Sequence, residues 1–207
     1  MIRIIAMERE YGCGAAAIAG KLAERLGWKL WDQELTGEIA RSLQVDADAI
    51  RNREERVDPL FYRLASVFMR GIFERGLPVS SLEQLDAGRL VGMMQELMER
   101  AAREGHCVIV GRGAPYFLRD RADVLSVFLY APIEEKIRRV KMSGKSQPEA
   151  VELVSSVDHE RATFVKKYYN MDWPTRALYH LMLNSKVGDE AVVQMILEEM
   201  SLLDAPK

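Results

Sequence analysis

Residues 9–26 read REYGCGAAAIAGKLAERL, two glycines one residue apart ahead of apolar residues at helical spacing. Glycines at such a junction let main-chain N–H groups converge on an anion, and the N-terminus of the following helix adds partial positive charge. Gly12, Cys13, Gly14, Ala15 and Ala16 are therefore the candidate phosphate-binding residues. Three readings of the stretch are open. Gly12 to Ala17 satisfies GxGxxA, with Asp32 near the distance of a ribose contact, as in dinucleotide-binding folds. That fingerprint wants its first glycine directly after a strand, and residues 7–11 intervene here. A phosphate loop of the GxxxxGK[ST] kind spans residues 9–16 and finds Gly14 in place. It also finds Arg9 for the first glycine, Ala15 for the lysine and Ala16 for the hydroxyl that holds Mg²⁺. The third reading is a strand-to-helix turn that needs small residues and holds no ligand.

The missing lysine has a magnitude. At ~4 Å and an effective dielectric constant of ~20, a lysine–phosphate pair carries about 4 kcal/mol. Were that attraction felt mainly in a transition state, its loss would slow the step roughly a thousandfold. Other cations could compensate. Arg112 follows the apolar run 107–110, where a guanidinium could grip a phosphate through two parallel hydrogen bonds. Arg138 and Arg139 are adjacent on a helical pattern, so only one can face a given site. Asp158 and Arg161 lie three apart, neighbours on one helical face. Mg²⁺ has no obvious protein ligand; Asp32, Asp158 and the loop acids Glu8 and Glu10 are the candidates, and water and phosphates could hold most of its shell. Cys13 sits at a helix N-terminus, where the dipole lowers a thiol pKa, so a redox switch stands beside the plainer reading of a small turn residue.

The elements that position these residues alternate short β-rich runs with helical patterns, which predicts an α/β fold with a parallel sheet covered on both faces. Strands are expected at 2–6, 29–31, 107–110, 125–130 and 179–183, about five in all. Ile18, Leu22 and Leu26 give the first helix its apolar stripe, and Gly27 stops it. Residues 33–105 contain no convincing strand and form a helical insertion, with one pattern opening at Pro59 and another carrying Met94, Leu97, Met98 and Ala101. Pro148 fits the first turn of a helix capped by Ser146, and Val192, Ile196 and Met200 mark a last helix.

The chain has 207 residues, enough for one domain over 1–207, with 48% hydrophobic and 29% charged residues. A net charge of −2 provides no basic field for nucleic acid. No apolar stretch approaches the ~18 residues that span a membrane. Two distant cysteines and three scattered histidines form no metal pattern, and a reducing cytoplasm is the expected location. Oligomeric state is not readable, and a homo-oligomer stays open.

Several segments together resemble the cytidylate kinase-like family. Residues 9–14 are similar to its REYGSG opening, WDQEL at 31–35 to its YDKEL, and VIVGRGA at 108–114 to its third-strand segment. VFLYAP at 127–132, EEKIRR at 134–139, DHERA at 158–162 and LMLNS at 181–185 complete the series in order. The resemblance implies a three-layer P-loop NTPase-type fold, with 33–105 as the acceptor-binding insertion and 143–170 as a mobile lid. It implies transfer of the ATP γ-phosphate, with Mg²⁺, to a nucleoside monophosphate, CMP or dCMP. Gly12 to Ala16 with Arg138 and Arg139 would hold the donor, Asp32 and Arg112 the acceptor. Arg161, Arg112 and Asp158 would do the catalytic work. The family usually has glycine then arginine where this chain has Ala15 and Ala16, aspartate at His180 and a small hydroxyl residue at Lys186. Those departures keep a second reading open, a nucleotide-binding sensor or scaffold without transfer chemistry.

Overall fold

A computed structural model describes residues 1–31 and 87–205. Asp32 and most of the expected insertion, including the pattern opening at Pro59, lie outside the described residues. Among those described, the order is β1 (Ile4–Arg9), α1 (Ala15–Leu26), β2 (Lys29–Trp31), α2 (Ala87–Glu104), β3 (Cys107–Val110), α3 (Ala114–Phe117), β4 (Val124–Tyr130), α4 (Ile133–Met142), α5 (Gln147–Tyr169), β5 (Leu181–Asn184) and α6 (Asp189–Asp204). Short 3₁₀ turns occupy Arg176–Leu178 and Ser185–Val187.

All five strands run parallel in the order β2-β3-β1-β4-β5. Alternate residues feed two cores. Ile5, Met7, Val108, Val110, Leu125, Val127 and Leu129 meet Ile18 and Leu22 of α1 and Val192 and Ile196 of α6. Ile4, Ala6, Cys107, Ile109 and Val124 meet Met98 and Ala101 of α2 on the other face, where Trp31 is fully buried. Near-continuous apolar strands are what a sheet covered on both faces requires. The fold is a three-layer α/β sandwich.

The boundaries of β1 and β5 differ most from the sequence expectation. β1 runs on to Arg9, because Glu8 and Arg9 pair with Phe128 and Leu129 of β4. The detour ahead of Gly12 is therefore two residues rather than five, and that objection to the dinucleotide fingerprint falls. β5 starts at Leu181 rather than Tyr179. His180 Nδ1 accepts the Ser126 N–H at 3.0 Å, so a side chain takes the place of a ladder bond there.

Helix ends follow local chemistry. Ser146 caps α5 through a complete capping box with Glu149, with Pro148 in the first turn. Residues 147–169, most of the expected lid, form that one helix. Gly27 closes α1 in the left-handed conformation, donating to the carbonyls of Ala23 and Glu24.

Candidate functional site

The connection after β1 leads towards one edge of the sheet and that after β4 towards the other, so the carboxyl ends of these neighbours form a topological switch point. Ligands of open α/β sheets gather there. The glycine loop emerges at this place. Gly12 (φ 79°) and Gly14 (φ 84°) both occupy the left-handed region, where a side chain costs roughly 1–2 kcal/mol. Each glycine is also crossed closely. A Cβ on Gly12 would lie 2.9 Å from the Lys136 carbonyl oxygen, and one on Gly14 would overlap Arg139 Nη1. Gly14 caps α1 without any side-chain hydrogen bond, and the first turn holds no acidic residue. Ala16 is exposed there, whereas Ala15 is buried in the α1 core. A longer side chain at Ala15 would have to displace that packing.

Between Glu10 and Ala16 the loop has no basic side chain, but helices α4 and α5 bring several to it. Arg139 donates from Nη1 to the Cys13 carbonyl, from Nη2 to the Ser185 carbonyl at 3.1 Å, and from Nε to Glu135 at 2.7 Å. Ser185, fully buried, donates its own hydroxyl to the Cys13 carbonyl at 2.6 Å. Arg138 faces away, exposed, and pairs with Glu135 at 2.6 Å. Of the two adjacent arginines, only Arg139 touches the loop. The paired guanidiniums, Arg138 first, hold the Glu135 carboxyl down to about 2.

Lys136 forms the second bridge. Its ammonium lies 2.8 Å from Glu10 and 3.3 Å from Asp158 Oδ2. Asp158 Oδ1 accepts the Tyr11 N–H at 2.7 Å and faces Arg161 Nη1 at 3.3 Å. Arg161 also donates to the Arg9 carbonyl at 2.7 Å. Burial disfavours the charge on Lys136, but Glu10 and Asp158 outweigh it and hold the ammonium above the ordinary lysine range. Burial raises Asp158 against the pull of Arg161, the Tyr11 amide and Lys136. It lowers Arg161 to about 10, helped by Arg9, so this guanidinium is still charged at neutral pH. The expected Asp158–Arg161 neighbourhood is present, and the structure brings it onto the glycine loop.

Arg112 stands in a second loop, after β3. Gly111, Arg112 and Gly113 have φ of 74°, 56° and 71° in succession, an unusual run for a segment with a non-glycine residue at its centre. Three contacts hold it. Glu8, buried at the end of β1, accepts the Gly113 N–H at 3.2 Å with Oε1 and the Trp173 indole N–H at 3.3 Å with Oε2. The Arg9 guanidinium fills the space over Gly111, and the Tyr169 ring that over Gly113. Arg112 itself is buried rather than a surface residue, and its Nη1 donates to the Val110 carbonyl at 3.3 Å.

Sequence reasoning did not single out Lys136 or Ser185, and it named Glu8 only as a candidate Mg²⁺ ligand. Glu8, which accepts from both the Gly113 amide and the Trp173 indole, is a fastening residue. Cys13 corrects the redox reading: it is 1% exposed, and burial pushes its thiol up to about 11 despite the Ala15 amide and the nearby Arg161 and Arg9. For Mg²⁺, Glu8, Glu10 and Asp158 are all engaged with internal donors, and Ala16 has no oxygen to offer. These residues do not fit a protein-ligated Mg²⁺. Among the described residues, no group of three or more His, Cys, Asp or Glu side chains could hold a metal ion. A phosphate chain does fit the loop, with its two left-handed glycines and an uncapped helix start free of acidic side chains.

The model of the cytidylate kinase-like family matches residues 4–187, almost the whole chain. The chain belongs to the cytidylate kinase-like family. It is similar to the cytidylate kinase of Pseudomonas entomophila, 26% identical with 97% of this chain and 96% of that one covered. The cytidylate kinase of Ignicoccus hospitalis is 29% identical over 140 residues, which is 66% of this chain and 81% of the relative. In fold, the chain resembles an uncharacterized protein from Eubacterium ventriosum (TM-score 0.68, 22% identity, 97% and 99% of the two chains). It also resembles the shikimate kinase of Acinetobacter baumannii solved with shikimate (TM-score 0.54, 17% identity, 100% and 97% covered). A P-loop kinase fold thus carries the cytidylate kinase-like sequence. The dinucleotide reading is set aside on this ground. Among the described residues, no helix is long and apolar enough to cross a membrane.

Proposed function

We propose that this protein is a phosphotransferase that moves the γ-phosphate of ATP to a nucleoside monophosphate, CMP or dCMP first among acceptors. The family match over residues 4–187 carries this reading, and the loop geometry supports it. The donor phosphates lie on the amides of residues 12–16, with Arg139 on the Ser185 side of the loop. Arg112, held in the second loop by Glu8, Arg9 and Tyr169, grips the acceptor phosphate. Asp32 contributes on the acceptor side. Arg161, on a lid spanning 143–170, neutralises charge on the transferring group, and Asp158 sets its position. In-line phosphoryl transfer needs positioning and charge neutralisation more than covalent chemistry, so a loop without lysine can still serve if neighbouring helices supply cations. Mg²⁺, if used, would be held by the nucleotide and water rather than by these side chains, and would supply charge neutralisation. The small-molecule partners are nucleotides, and the compartment is the cytoplasm.

The test is coupled turnover with Mg²⁺-ATP and CMP, dCMP, UMP or AMP. Turnover with CMP or dCMP above the others is expected. Ala15 and Ala16 favour a second reading, a nucleotide-binding sensor that has lost transfer. Saturable ADP binding by calorimetry, with no turnover for any acceptor, would select it. The absence of both would remove nucleotide function altogether.

A further inference from the structure

One cluster beside the glycine loop is built like an anion seat and is filled from within. The Tyr11 amide, the Lys136 ammonium and the Arg161 guanidinium all point at the same carboxylate, that of Asp158, at 2.7, 3.3 and 3.3 Å. A main-chain N–H in a glycine loop, an ammonium and a guanidinium are the donor types that bind phosphoryl oxygens. Both cations are nearly sequestered, with side-chain exposures of 10% for Lys136 and 8% for Arg161. Their charges are balanced by Glu10 and Asp158. Taking Asp158 away leaves two cations against one anion, a seat one negative charge short.

The two cations differ in where they are anchored. Lys136 lies on α4, whose main chain packs on the loop at Gly12, with Val140 one turn further along the same contact. Asp158 and Arg161 lie together on α5, one turn apart. Outward movement of α5 would lift Asp158 off the Tyr11 amide and leave Lys136 beside the loop. We infer that the Asp158 carboxylate is an internal stand-in for a phosphoryl group, and that Lys136 is the cation that replaces the absent loop lysine when the phosphoryl arrives. This rests on the nucleotide reading above and adds to it the residue that does the lysine's work. A purely structural ion network would also bring these four groups together, and the two accounts diverge once the internal anion is neutralised.

The experiment is calorimetric titration with tripolyphosphate, which has no base or sugar, and with ADP. Asp158→Asn keeps the size of the side chain but removes the competing charge. It is expected to bind tripolyphosphate at least tenfold more tightly than the natural protein. Adding Lys136→Met to Asp158→Asn is expected to lower that affinity at least tenfold. Should the asparagine variant lose its helical circular dichroism, Asp158→Ala takes its place. If ADP binds every variant and Asp158→Asn gains nothing, the stand-in is overturned. If the double variant matches Asp158→Asn, the role of Lys136 is overturned; the nucleotide reading stands in both cases. Absence of ADP binding by the natural protein removes that reading and this inference together.

Discussion

Two glycine loops at the carboxyl ends of adjacent strands carry their charge in opposite ways. The loop after β1 has Gly12 and Gly14 around Cys13, and the loop after β3 has Gly111 and Gly113 around Arg112. Both pairs are left-handed, and both flank a helix start with no side-chain cap. In the first loop the central residue is turned into the core and the charges come from outside, through Lys136, Arg139 and Arg161. In the second the central residue is itself the charge, and outside groups, Glu8, Arg9 and Tyr169, only fasten it. A loop that borrows charge can lose its lysine and hydroxyl and keep its shape. A loop that owns its charge cannot spare it.

That contrast can be broken at named positions. The largest expected effect on stability is at Gly12→Ala, where a left-handed φ coincides with a Cβ 2.9 Å from the backbone oxygen of Lys136. Neither can relax without moving α4, and the loss is expected to be about 3 kcal/mol, read from urea denaturation. A midpoint equal to that of the natural protein would show that α4 does not press on the loop. Next comes Arg112→Ala, expected to weaken acceptor binding by about a hundredfold, the worth of a charge-assisted pair, with the fold retained. Unchanged affinity for CMP would move the acceptor pocket elsewhere. Glu8→Gln is expected to cost about 1–2 kcal/mol, because the amide can accept one of the two buried N–H groups but presents its own N–H₂ to the other. It should also weaken CMP binding, since Arg112 loses its fastening; a stability loss with intact CMP affinity would separate Glu8 from the site.

The smallest effect concerns Cys13. Its folded pKa of about 11 lies above the ordinary 9.0, so burying the neutral thiol adds stability that is fully present below pH 9. That contribution fades as pH rises through about 11. At pH 8 the thiol should resist alkylation in the native protein and react readily in urea. Fast native alkylation would restore the redox reading.

Much of this arrangement was readable because it is local. Asp158 and Arg161 announce themselves by spacing, Ser146 and Glu149 by the capping pattern, and Cys107–Val110 by an unbroken apolar run. Met94 and Met98, read as a helical stripe, are buried on α2. What escaped depends on distant partners. The extension of β1 is fixed by pairing with β4, more than a hundred residues away. Glu8 is buried, and one of its donors, Trp173, lies 165 positions on. Lys136 reads as one charge among many on an amphipathic helix until α4 is packed on Gly12. The family likeness carried the fold across these gaps, but it could not indicate which cation stands in for a residue the family itself lacks.

The most direct measurement is a crystal structure grown with saturating ADP. Phosphate density is expected on the amides of residues 12–16, with Lys136 in contact and the Tyr11–Asp158 hydrogen bond broken. An occupied nucleotide elsewhere, with the glycine loop bare and Asp158 still on the Tyr11 amide, would contradict that expectation.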